Sequence, residues 1–114
     1  MPDRAESEAL VFELRTYTLR DRASAVAYAG THWARHVPSL ATFGITTHGV
    51  WLEADGRPVV RALVSFAAGV DPVVAGRAFM GSEAFRADMA GFPMGAIEHV
   101  DAVLLEAAPS SPLR

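Results

Sequence analysis

Two stretches of the chain place an imidazole where it could do chemistry, and a third offers a fixed positive charge. In "EHVDAVLLE", His99 and Asp101 stand two positions apart. On a β-strand that spacing puts both side chains on one face, with backbones about 7 Å apart. A histidine oriented by a carboxylate can pass a proton near neutral pH, so His99 and Asp101 are the candidate acid/base pair. In "VFELRTYTLR", Glu13, Arg15 and Tyr17 follow the same period. Arg15 supplies a planar, permanently charged donor fork suited to an anionic or enolate oxygen, and Arg61 could share that task. In "THWARH", His32 and His36 lie four apart across Trp33. That is helical spacing, useful to a metal only if a third ligand converges. The zinc-protease glutamate is missing and no ligand lies nearby, so the expectation is two boundary histidines and no metal, with His36 the one placed to meet substrate.

Each candidate has a structural alternative. Glu13 and Arg15 can form a sheet-surface ion pair worth about 0 to 1 kcal/mol. Tyr17 can be a packing residue with one satisfied oxygen, Trp51 a core or interface residue, and His99 with Asp101 an edge-strand pair serving a subunit contact.

Composition removes whole classes of function. The 13 acids and 10 basic residues, every one of the latter arginine, are scattered without a basic patch, so nucleic acid is not an expected partner. The chain has no cysteine, which excludes disulfides, thiolate metal sites and a cysteine nucleophile. No GxGxxG, Walker lysine loop, GxSxG elbow, EF-hand or zinc-finger spacing occurs, and no cofactor is expected. The N-terminus lacks the apolar run of a signal peptide and no long apolar stretch follows, so no membrane is expected and the expected location is cytoplasmic.

The elements that must position these residues follow from periodicity. Residues 10–20 alternate as a strand, with Phe12, Leu14, Thr16 and Thr18 expected toward the helices and Glu13, Arg15 and Tyr17 opposite. Residues 21–43 read as an amphipathic helix, with a stripe of Val26, Gly30, Trp33, Val37 and Leu40 and with Tyr28 outside it. Pro38 predicts a kink near Val37, and Gly44 a stop. Strands over 45–54 and 59–67 flank a "DGRP" turn. A second helix spans 70–91, capped by Asp71 and Pro72, interrupted near Gly81 and Ser82, and buried through Val74, Ala78, Phe79, Phe85 and Met89. A last strand covers 96–107. This order predicts an α+β fold, a ferredoxin-like βαββαβ sandwich whose four-stranded antiparallel sheet carries two helices on one face. Residues 1–9 form an expected disordered arm, 10–109 the domain and 110–114 a tail. The bare face then receives Glu13, Arg15, Tyr17, Arg61, Ser65, His99 and Asp101, a mixed surface resembling a cavity lining or subunit contact.

"FELRTYTL", the hairpin "GVWLEADGRPVVRALVSFA", "GRAFMGSEAFRADM" and the closing "VLLEAAP" together resemble the NIPSNAP family, related to the dimeric α/β barrels. The resemblance spans about residues 10–109 and implies a subunit that pairs with a copy of itself, its sheet facing the partner's. Glu13, Arg15 and Tyr17 match "ELRTY", and Gly49 with Trp51 matches the family's "GxW". The chain departs from the family where the second hairpin strand commonly carries His and Trp, having Arg61 to Val64 there, and at Phe85, where a tryptophan is usual.

The resemblance implies relatives that range from cofactor-independent monooxygenases and cyclases to plain binding proteins. The expected function is a homodimeric enzyme acting on a small, largely apolar or aromatic metabolite, with His99, Asp101 and Arg15 catalytic and Glu13, Tyr17, Arg61, Ser65, Trp51 and His36 around the ligand. The alternative is a non-catalytic binding or assembly module.

Overall fold

Strand β1 (Val11–Leu19) runs through the middle of the sheet, and its neighbours decide which way its charges point. A computed structural model describes residues 10–114; the N-terminal arm expected at 1–9 lies outside the described residues. Along the chain follow helix α1 (Arg22–Ala27), a π-helical turn (Tyr28–His32) and α2 (Trp33–Ala41). Then come strands β2 (Ile45–Leu52) and β3 (Val59–Phe66), helices α3 (Pro72–Met80) and α4 (Glu83–Asp88), a 3-10 turn (Met94–Ala96) and β4 (Ile97–Glu106). The strands form one four-stranded antiparallel sheet in the order β2-β3-β1-β4. This is the ferredoxin-like α+β sandwich expected from the element order.

The register corrects the parity of β1. Glu13, Arg15 and Tyr17 pair with Val64, Ala62 and Val60, which are fully buried beneath the helices. Glu13, Arg15 and Tyr17 therefore face the helices, and Phe12, Leu14, Thr16 and Thr18 face the other way. Bulk misled the parity: Phe12 is buried, but on the open face, where His48 lies 5.3 Å away ring to ring and where the chain beyond β4 returns, Ala107 and Leu113 lining a cleft with Phe12 and Leu63. On β4 the expected parity is observed, with Val100, Ala102 and Leu104 opposite Tyr17, Arg15 and Glu13.

The first helical segment is also rotated from its expected face. Its buried residues are Ala25, Tyr28, His32, Trp33, His36 and Leu40, whereas Val26 and Val37 are exposed. Large rings that find partners outweigh two valines in the area they bury. No break occurs at Pro38, where a kink was expected: α2 continues through it to Ala41, and the segment's irregular turn lies upstream, at Tyr28–His32. Gly44, with φ of +78°, ends the segment as expected.

In the second helical region, Asp71 caps α3 by accepting from the backbone of Val73 and Val74. Gly81 closes α3, and Ser82 caps α4 through Phe85 N at 3.1 Å. Phe79 and Met89 are buried as expected, but Ala75 replaces Val74, which points outward. In β2 a bulge leaves His48 without a β3 partner between Thr47 and Gly49. Beyond it Trp51 shares the open face with Arg61, and its indole lies across Gly49, where a Cβ would collide with the ring. Among the described residues, no helix is long and apolar enough to cross a membrane.

Candidate functional site

Because β1 turns its charges toward the helices, Glu13 and Arg15 become the floor of a cavity rather than part of an outer surface. The cavity, about 470 Å³, lies between the sheet and the helices. That volume falls within the range typical of small-molecule sites. Tyr17, Tyr28, Trp33, His36 and Phe85 contribute walls, while α3 and the 3-10 turn form its rim.

Arg15 Nε donates to Glu13 Oε1 at 2.6 Å, with the two side chains only 15% and 16% exposed. Burial opposes the charge on Arg15, but Tyr17 and Glu13 more than offset it, so the guanidinium stays charged. The bond to Glu13 occupies Nε, and Tyr17 lies close enough to reach the guanidinium as well. Tyr28 packs edge-on to Tyr17, centroids 5.0 Å apart, and burial followed by Tyr17 raises its pKa far above the ordinary phenol value. It serves as a neutral wall, not a base. The Trp33 Nε1–H is buried and has no hydrogen-bond partner among the described residues.

The principal acid/base arrangement is one that sequence reading did not assemble. His36 Nδ1 lies 2.9 Å from Asp88 Oδ2, and Ser39 Oγ donates to Asp88 Oδ1 at 3.1 Å. The backbone carbonyl of Asp88 accepts from His32 Nδ1 at 2.8 Å and from Arg35 at 3.1 Å. Side chains from the π turn and α2 thus grip the last residue of α4 at both its carboxylate and its carbonyl. Burial lowers the His36 pKa below its usual value of 6.5, although Asp88 pulls the other way. The ring is therefore neutral at pH 7, donating through Nδ1 to the carboxylate and keeping its lone pair on Nε2. Phe85 stacks on it at 5.8 Å and Phe79 meets it edge-on at 5.3 Å, which fixes the plane of the imidazole. Arg15 is close enough to lower the His36 pKa further through its charge.

The sheet divides the sequence-predicted site. Glu13, Arg15, Tyr17 and His36 line the cavity. His99 and Asp101 lie opposite Thr18 and Thr16 on the open face, exposed, and no hydrogen bond or ion pair joins them among the described residues. They cannot act with Arg15, because the sheet stands between them. Arg61 is also on the open face, paired with Glu53 at 2.8 Å, and Ser65 Oγ lies 2.7 Å from His48 Nε2 there. Trp51 shares that face and is 54% exposed. Sequence reading missed Asp88. Its one signal was an acid three residues beyond Phe85 and next to Met89, on the flank of a helix expected to be buried.

Fold and cavity together define a ferredoxin-like protein with a ligand-sized chamber between its sheet and its helices. The solved structures it resembles include a NIPSNAP family protein of unknown function from Agrobacterium tumefaciens, with a TM-score of 0.74 at 17% identity, covering 94% of this chain and 96% of that one. A NIPSNAP domain protein from Burkholderia xenovorans matches with a TM-score of 0.66 at 16% identity over 90% and 98%. SnoaB, a cofactor-independent oxygenase from Streptomyces nogalater, matches with a TM-score of 0.59 at 18% identity over 91% and 98%. The fold is that of the NIPSNAP proteins, as the resemblance in the sequence implied. No protein-family model matches the chain, and no curated protein sequence does.

Proposed function

We propose that the protein is a small-molecule enzyme that removes a proton from a largely apolar, aromatic or polyketide-like substrate bound between sheet and helices. The observation that carries this reading is the buried His36–Asp88 pair on the wall of a cavity whose floor holds Arg15. Nε2 of His36 accepts the proton, Asp88 stabilises the imidazolium that results, and Arg15 holds the oxygen on which negative charge develops. The product of the step is an enolate or phenolate. An oxygenase and a cyclase would both begin there, and the likeness to SnoaB supports the first of these.

The subunit is proposed to pair with a copy of itself through the open face of the sheet. Trp51, Val103 and Leu105 are exposed there, and β4 is an edge strand among the described residues. In this arrangement His99, Asp101 and Arg61 belong to the contact and not to the chemistry.

The test is solvent exchange. Hydroxylated naphthalenes such as 1,3-dihydroxynaphthalene, whose ring C–H exchanges through a keto tautomer, are incubated in D2O and followed by proton NMR. Faster loss of the ring proton with enzyme, reduced roughly 10²-fold or more in His36→Gln, is the expected result. Exchange at the buffer rate across a panel of such compounds, with binding retained, would leave the non-catalytic binding module as the function.

A further inference from the structure

Among the described residues, the mouth of the cavity carries a single charge. Its exposed rim consists of Val73 and Met80 on α3, Met94 on the 3-10 turn and Val100 on β4, all apolar, with Arg77 among them. The other charged groups lining the cavity, Glu13 and Arg15, are on the floor and bonded to each other. Arg77 differs from every other arginine among the described residues. Arg57 and Arg61 pair with carboxylates, and Arg22, Arg35 and Arg86 donate to backbone carbonyls, but the Arg77 side chain makes no hydrogen bond or ion pair with any described residue. Its place in the last turn of α3 suits the helix dipole, which accounts for a cation there but not for its lying against the cavity.

We propose that Arg77 is a specificity residue and that the substrate is an apolar ring system bearing a carboxylate. This rests on the reading of the cavity as the substrate site. The rings occupy the apolar chamber with the reacting end toward His36, and the carboxylate stays at the mouth, where Arg77 can bind it through two parallel N–H donors. The carboxylate does not enter to meet Arg15. There it would face the Glu13 carboxylate and would have to shed its water, whereas at the rim it remains partly hydrated.

The test is calorimetric titration of the intact protein with a nearly isosteric pair, 6-hydroxy-2-naphthoate and 6-hydroxy-2-naphthamide, whose hydroxyl and carboxyl groups stand at opposite ends of the ring system. In the wild type the naphthoate binds roughly three- to tenfold more tightly, an advantage that shrinks with added salt because the ion pair is exposed. Arg77→Gln brings the two affinities together and Arg77→Lys keeps part of the difference. Arg86→Gln, outside the cavity, leaves it intact. An advantage that survives Arg77→Gln would place the carboxylate elsewhere, against Arg15 for example, and overturn the proposal. So would equal binding of the pair by the wild type, which leaves the proton-transfer reading standing. Failure of both compounds to bind would overturn the proposal too, and the proton-transfer reading would then rest on the exchange assay.

Discussion

His36 is held by one carboxylate, two phenyl rings and a neighbouring indole, and its chemistry follows from that enclosure. Burial depresses its pKa, so the imidazole is available as a base from neutral pH down to below 6.5. The same shift has a sign for stability. The folded state resists protonation and the unfolded state does not, so this residue costs stability as pH falls from about 6.5 toward its lower folded value, and nothing above that range. Thermal melts are expected to show wild-type Tm falling with acidification in that window and His36→Gln falling less. Arg15→Ala should cost roughly 10²-fold or more in turnover, with Arg15→Lys recovering little, because a point charge does not reproduce the fork bonded to Glu13. Steady-state kinetics on any active probe checks this. Residue type and spacing pointed to Glu13, Arg15, Tyr17 and His36, which line the cavity, although the first three were expected on the opposite face of the sheet. Asp88 was not, because its partners come from a helix about fifty residues earlier in the chain. His99 and Asp101 had the right spacing, but spacing along a strand does not say which face it serves.

At the level of elements, α4 is short and carries Asp88 at its end, so the cap at its start bears on the site. Ser82→Ala removes the acceptor for Phe85 N and should cost about 0.5 to 2 kcal/mol in urea unfolding, with reduced activity as Asp88 loses its fixed position. The break between α3 and α4 was readable from Gly81 and Ser82, since each residue's local chemistry suffices to end or start a helix. The facing of β1 was not readable in the same way. A strand with Phe12 and Leu14 on one side and Tyr17 and Leu19 on the other has two apolar faces, and only the register against β3 shows which is covered by helices. The first helical segment shows the same limit: counting apolar residues favoured Val26 and Val37 over two histidines and a tyrosine that tertiary partners draw inward.

At the level of the molecule, the sheet separates two tasks. The helix-covered face holds the chamber, and the open face carries exposed Trp51, Val103 and Leu105, the surface proposed to meet a second copy. Val103→Glu with Leu105→Glu should convert a dimer to a monomer in light scattering after size exclusion, while ligand still binds the chamber. The βαββαβ order made this architecture legible from periodicity alone; the location of the chamber depended on parity and was not. His36, oriented by Asp88, is the group proposed to take the substrate proton. The most direct measurement is the pH dependence of deuterium exchange in wild type and Asp88→Asn. Wild type should show an acidic limb with its midpoint below 6.5 and a plateau above it, and Asp88→Asn a lower plateau with the limb moved to lower pH, because the group that raises the His36 pKa is gone. A profile that Asp88→Asn leaves unchanged in height and midpoint would contradict the claim.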